Sequence, residues 1–183
     1  MKKEFIKLSA VLCIITLVAG LILSGVNNIT APAIEKAEKA ASENAMHMLL
    51  PEADSFKSSK SDENLQIATK DGSVVGFCAK VVTVGYGGDI VMMVGVDKDM
   101  FVQGIEILSQ SETAGLGAKI TDNSFKAQFK GKSLSGLKLV KTPTDSQQEF
   151  TAVTGATISS RAVENGIATA MEMIEKEIEE GTK

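Results

Sequence analysis

The chain has 183 residues and a formal net charge of −4, so it lacks the general attraction to nucleic acid that a basic protein has. Trp is absent and aromatic residues make up only 4% of the sequence, which leaves no platform for stacking bases, and we predict no nucleic-acid partner. One histidine, His47, and two cysteines, Cys13 and Cys78, are too few for a His-based metal site or a Ser-His-Asp triad. We therefore expect no metal site and no catalytic residue of that kind.

The amino end predicts a membrane anchor. Lys2, Lys3 and Lys7 precede an uncharged apolar segment, residues 8–26. At about 1.5 Å per residue this segment is roughly 28 Å long as a helix, close to the ~30 Å hydrocarbon core of a bilayer. A cleaved signal peptide is the alternative, but its apolar core is usually shorter and is followed by a cleavage site with small residues. We favour a retained single-pass helix in the cell membrane, with residues 1–7 in the cytoplasm and the remainder of the chain outside it.

Residues 27–52 predict a juxtamembrane helix or linker. Thr30 can cap a helix that has Pro32 in its first turn, and apolar residues then recur at three- and four-residue spacing up to Pro51. A plain spacer is an equally good interpretation. The folded domain is expected over residues 53–183.

The first half of that domain is predicted to be rich in strands. Residues 53–64 are polar and are expected to form a loop. Residues 65–85 predict a strand, a turn at Asp71–Gly72 and a longer strand, and residues 89–110 predict a second pair around a turn at Asp97–Asp99. Four such segments in succession favour an antiparallel meander.

The second half predicts helices that flank the sheet. Residues 123–131 indicate a short helix in which Phe125 and Phe129 point inward, and residues 137–141 indicate a further strand. Residues 159–181 predict a long amphipathic helix, whose apolar face would consist of Val163, Ile167, Ala170, Met171, Ile174 and Ile178. The fold class is therefore α+β: one amino-terminal transmembrane helix, then a domain with a mostly antiparallel sheet and flanking helices.

Two segments carry candidate binding residues. In "ETAGLGAKI", residues 112–120, Leu116 lies between two glycines. An ordinary turn explains the glycines. The functional interpretation is a loop brought close to a flat ligand, with Leu116 against the ligand and with polar contacts from Glu112 and Thr113.

The second segment is "TAVTGATISS", residues 151–160, which places Thr157 at or just before the start of the last helix. Free backbone N–H groups at a helix start favour a phosphate, and nearby hydroxyl groups could add donors. An ordinary helix cap is the alternative, and spacing alone does not separate the two. The candidate residues here are Thr154, Gly155, Ala156, Thr157, Ile158, Ser159 and Ser160.

The stretch "TGATISSRAV" resembles the flavinylation motif Ser/Thr-Gly-Ala-Thr-x-Ser/Thr of the FMN-binding domain family. In that family the threonine of the Gly-Ala-Thr triplet forms a phosphoester bond to FMN, installed by a flavin transferase that uses FAD. "GYGGDIVMMVGVD" and "ETAGLGAKITDNSFKAQFKGK" are similar to the same family and occur in its order. The resemblance implies covalent FMN on Thr157, with Glu112, Thr113 and Leu116 near the isoalloxazine ring. Many relatives carry Pro, Asp and an acidic residue where this chain has Ala114, Ala118 and Thr151, respectively, although Glu149 lies close by.

By its length and its single anchor the chain is similar to the G subunits of Rnf complexes, which are ion-translocating ferredoxin:NAD oxidoreductases. The resemblance implies a membrane-anchored electron carrier that does not act alone on a soluble substrate. Its partners would be other membrane subunits of the redox complex, the flavin transferase during maturation, and lipid around residues 8–26. The alternatives are the equivalent FMN subunit of a sodium-translocating NADH:quinone oxidoreductase, a tethered binding or assembly module without cofactor in which Thr157 only caps a helix, and an extracytoplasmic flavin reductase.

Overall fold

The computed structural model describes residues 2–142 and 146–181, and the chain divides into two compact units, Met1–Ala41 and Ser42–Lys183. The fold is α+β, as the sequence predicts. The helices are α1 (Lys2–Leu49), α2 (Asn123–Lys126) and α3 (Thr157–Gly181), and the strands are β1 (Ser55–Ser58), β2 (Leu65–Lys70), β3 (Ser73–Val84), β4 (Asp89–Asp97), β5 (Val102–Ser109), β6 (Lys138–Val140) and β7 (Glu149–Thr151).

Helix α1 is continuous through the position where a new helix was expected to begin. The Thr30 hydroxyl donates to the Val26 carbonyl, with an O–O distance of 3.0 Å, and Pro32 also lies inside the helix. The prediction that Thr30 caps a separate helix is therefore wrong. A threonine hydroxyl can bond to the carbonyl four residues back, so it fits a helix interior as well as a cap.

Within the described residues, one helix is long and apolar enough to cross a membrane. It covers Lys3–Leu49, and its most apolar window has a mean hydropathy of 2.5 and no buried residues. By length and composition it is a candidate membrane span that contains the predicted segment 8–26.

The main sheet has five antiparallel strands in the order β1-β2-β3-β4-β5, which confirms the predicted meander. Asp71 and Gly72 have φ angles of 50° and 80° and form the two-residue hairpin turn between β2 and β3. The prediction of a loop over residues 53–64 is wrong at β1. That strand is short and lies at the sheet edge with mostly exposed side chains, so its sequence lacks the alternation that marks a strand.

One face of the sheet packs against α3. Alternate residues of β3 and β4 are buried there, among them Phe77, Val81 and Met92. The rings of Phe125 and Phe129 pack against each other, with centroids 5.4 Å apart, and join the same core as predicted. Most of the predicted apolar face of α3 lies in or against this core, namely Val163, Ile167, Ala170, Met171 and Ile174.

The prediction for the end of that face is wrong, because Ile178 is 41% exposed. At this level of α3 the contact to the domain is polar instead. The Glu177 carboxylate accepts hydrogen bonds from the hydroxyls of Ser59 and Ser61, which belong to the loop between β1 and β2.

The other face of the sheet carries a smaller core, to which the end of α1 and the residues just after it contribute; these residues belong to the second unit. Leu49 and Leu50 pack with Cys78 and Met93. Burial raises the pKa of the Cys78 thiol to about 12.

A second, two-stranded sheet follows α2. Strand β6 confirms the strand predicted over residues 137–141, and it pairs in parallel with β7. Strand β7 was not predicted. It leads directly into the segment that begins α3.

Candidate functional site

A tight turn presents Thr157 at the first position of α3, as predicted. The Ala156 N–H donates to the Val153 carbonyl, with an N–O distance of 2.9 Å, and closes a four-residue turn. Gly155 occupies its third position with φ +79°, a conformation that a type II turn requires and that glycine adopts without strain. The side chain of Thr157 is exposed at the end of this turn.

The Ser160 hydroxyl fastens the turn to the helix. It donates to the Ala156 carbonyl oxygen and accepts a hydrogen bond from the Val153 N–H, and the donor–acceptor distance is 3.0 Å in both. The residue is fully buried. Ser160 is therefore used inside the chain and does not offer its hydroxyl to a ligand. Thr154, in contrast, is exposed within the turn.

Glu112 connects the start of α3 to two loops. Its side chain is buried, with 8% exposure. One carboxylate oxygen, Oε1, accepts a hydrogen bond from the Gly87 N–H with an N–O distance of 2.9 Å. The other, Oε2, accepts a hydrogen bond from the Ser159 hydroxyl. The loop between β3 and β4, the loop after β5 and the first turn of α3 thus meet at one carboxylate.

These three segments line a cleft of about 520 Å³, within the range of roughly 300–1,000 Å³ that is usual for small-molecule sites. Its walls are formed by Tyr86, Glu112, Thr113, Leu116, Gly117, Gly155, Ala156, Thr157, Ile158 and Ser159. The cleft brings together the predicted residues of both segments except Thr154 and Ser160. It also contains Gly117 and Tyr86, which are not among the predicted residues.

The walls of the cleft carry exposed apolar side chains. The side chains of Tyr86, Leu116 and Ile158 are 72%, 47% and 55% exposed, respectively, so they offer apolar surface that nothing in the described residues covers. No lysine or arginine among the described residues lines the cleft. A phosphate near Thr157 would therefore depend on the free N–H groups and the positive end of α3.

The cleft lies in the part of the chain that a family model matches, and this match indicates the class of protein. The family model of the FMN-binding domain matches residues 85–172, a range that includes every residue lining the cleft. The crystal structure of Shewanella oneidensis NqrC has a similar fold, with a TM-score of 0.50, 21% identity and coverage of 64% of each chain.

The particular family follows from relatives that match over most of their length. The chain is 32% identical to the G subunit of the proton-translocating ferredoxin:NAD(+) oxidoreductase complex of Clostridium ljungdahlii, over 89% of this chain and 88% of that protein. It is 34% identical to the G subunit of the Na(+)-translocating ferredoxin:NAD(+) oxidoreductase complex of Acetobacterium woodii, over 90% and 89%, respectively. The chain belongs to this family of G subunits, which confirms the resemblance found in the sequence.

Proposed function

We propose that this chain is the membrane-anchored electron-transfer subunit of an ion-translocating ferredoxin:NAD oxidoreductase complex of the Rnf type, and that it carries FMN on Thr157. The observation that supports the proposal most strongly is the exposed Thr157 hydroxyl at the mouth of the cleft, in an FMN-binding domain. The flavin supplies the redox chemistry, and the chain supplies attachment and surroundings.

The residues of the cleft fit the parts of FMN. The Thr157 oxygen would form the phosphoester bond, and the start of α3 would stabilise the charge of the phosphate. Tyr86, Leu116 and Ile158 would offer the ring apolar contacts, and Thr113 would offer it a hydroxyl group. The open cleft leaves one side of such a ligand accessible to a neighbouring redox subunit.

FAD would be the source of the attached FMN. The Thr157 hydroxyl oxygen would bond to the phosphorus of the FMN half, the phosphoanhydride bond to AMP would break, and AMP and the hydroxyl proton would leave. A flavin transferase would catalyse this step during maturation. A covalent bond keeps the flavin on a domain outside the cytoplasm, where a dissociated cofactor would be lost.

The same proposal includes a topology. Residues 8–26 would cross the cell membrane, and Lys2, Lys3 and Lys7 would keep the amino end in the cytoplasm. Residues 27–52 would lead to the FMN-binding domain at 53–183 on the opposite side. The other membrane subunits of the complex would be its partners.

A pair of threonine variants tests the attachment. The full chain is produced in a host that contains an active flavin transferase, and its membranes are run on a denaturing gel and viewed for flavin fluorescence. The wild-type band should fluoresce, Thr157→Ala should be dark, and Thr154→Ala should keep most of the signal because this second exposed threonine lies in the turn. A Thr157→Ala band as bright as wild type would contradict the proposal.

A further inference from the structure

Glu112 is a buried carboxylate that lacks a cationic partner. Among residues 2–142 and 146–181, no Lys, Arg or His forms an ion pair with it, and its side chain is 8% exposed. A buried charge is costly unless hydrogen bonds compensate it, and here the donors are the Gly87 N–H and the Ser159 hydroxyl. Such an arrangement stabilises a particular geometry at the expense of desolvating a charge.

The loop residue Gly117 packs closely against this hydrogen bond. A methyl group added to Gly117 would lie 2.5 Å from both Glu112 Oε2 and Ser159 Oγ. Ser159 itself is 2% exposed. Glu112 and Ser159 are therefore a tightly packed part of the cleft wall, and the hydrogen bond between them acts on a ligand by holding that wall in place.

Helix geometry connects the pair to the attachment point. Successive residues of an α-helix are rotated by about 100°, so Ser159 and Thr157 project about 200° apart around α3. When Glu112 holds Ser159 on the inner side of the first turn, Thr157 is directed outward. This agrees with the structure, in which Ser159 is buried and Thr157 is exposed.

We propose that Glu112 and Ser159 act as a positioning pair that fixes the rotation of the first turn of α3 and so presents the Thr157 hydroxyl for flavin attachment. The inference rests on the proposed function and deepens it. It gives Ser159, the last hydroxyl residue of the motif, a role as an anchor of the helix, and Ser159 is then neither a phosphate ligand nor a second acceptor for the flavin.

The test measures the initial rate of covalent flavin attachment to the full chain in membranes, with FAD and the transferase, by fluorescence of the gel band. Ser159→Ala and Glu112→Ala should each slow attachment at least about tenfold, the loss expected when a hydrogen bond to a buried charge is removed. The double variant should be no slower than Glu112→Ala alone, because each single change already removes the same Glu112–Ser159 hydrogen bond. Glu112→Gln should stay near the wild-type rate, since its amide can accept from Gly87 and donate to Ser159.

Two control variants lie on the same helix. Thr169→Ala removes an exposed hydroxyl that donates to the Asn165 carbonyl, and Ile174→Val removes one methylene from a fully buried side chain; both should react at the wild-type rate. Attachment in Ser159→Ala as fast as in wild type would overturn the inference. So would a Glu112→Gln rate as low as that of Glu112→Ala, or an Ile174→Val rate as low as that of Ser159→Ala. A dark wild-type band beside a labelled control protein would instead contradict the proposed function itself.

Discussion

Gly117 offers a quantitative test of how tightly the wall of the cleft is packed. In Gly117→Ala the new methyl group would lie 2.5 Å from Glu112 Oε2 and from Ser159 Oγ, and 2.9 Å from Glu112 Cβ. Ordinary contacts of this kind begin near 3.4 Å, so the hydrogen-bonded pair must separate from the loop. Overpacking costs about 1–3 kcal/mol, and weakening a hydrogen bond to a charged group costs about 1.5–3 kcal/mol. The alanine also reduces the entropy of the unfolded chain, which offsets about 0.4–1 kcal/mol of these costs. The free energy of unfolding should therefore fall by about 3 kcal/mol.

The assay is urea unfolding of a soluble fragment that begins at residue 30, followed by far-UV circular dichroism because the chain has no Trp and one Tyr. With an m-value of about 2 kcal/mol/M, the midpoint should fall by roughly 1.5 M. The control is Gly131→Ala: Gly131 has φ +76° and no atom within 4 Å of an added methyl, so only backbone strain of about 1–2 kcal/mol is expected. A Gly117→Ala loss no larger than that of Gly131→Ala would refute the reasoning.

Three further predictions use the same fragment. Thr83→Val should raise the free energy of unfolding by about 1 kcal/mol in urea titrations, because within the described residues the Thr83 hydroxyl is buried without a hydrogen-bond partner. Cys78, with its pKa raised by burial to about 12, should resist a thiol reagent at pH 8 and react once urea unfolds the fragment. A hydrogen bond from Ser59 and, to a smaller extent, one from Ser61 lower the pKa of the Glu177 carboxyl. Glu177→Gln should therefore be less stable than wild type at neutral pH, by less than about 1 kcal/mol, and the difference should vanish as pH falls below the ordinary value of 4.5.

Each of these three has a result that would contradict it. A Thr83→Val fragment less stable than wild type would mean that the hydroxyl has a partner. Rapid labelling of native Cys78 would mean that the smaller core opens readily. A Glu177→Gln effect that grows toward acid would have the wrong sign, since a group with a depressed folded-state pKa contributes its stability above the unfolded-state pKa and loses it below.

The parts of the fold that follow from the sequence are long segments in which apolar residues recur at regular spacing. The strands around Asp71–Gly72 and Asp97–Asp99 and the helix α3 each bury a regular face, and that regularity is visible in the residues themselves. Strands β1 and β7 have four and three residues, too few for a period, and their pairing is decided by tertiary contacts. Ile178 has the spacing of the apolar face of α3, but it lies past the end of the core, where the helix contacts the domain through polar side chains.

The site divides in a similar way. The motif and the glycine loop located Thr157, Leu116 and Glu112, because the chemistry of those short segments is local. Whether a motif hydroxyl faces inward depends on the phase of the helix and on distant partners, and Ser159 bonds to a residue 47 positions away. Tyr86 was missed because it lies in a glycine-rich turn that reaches the cleft only when the hairpin of β3 and β4 is folded.

The central claim is that FMN is bonded to Thr157, and mass spectrometry tests it most directly. The full chain is purified from membranes of a host with an active flavin transferase, digested, and the peptides are fragmented to locate any adduct. The account predicts one FMN, as a phosphoester, on Thr157, with Thr154, Ser159 and Ser160 unmodified. An unmodified Thr157 peptide, while a known target of the same transferase is fully labelled in the same cells, would contradict the account.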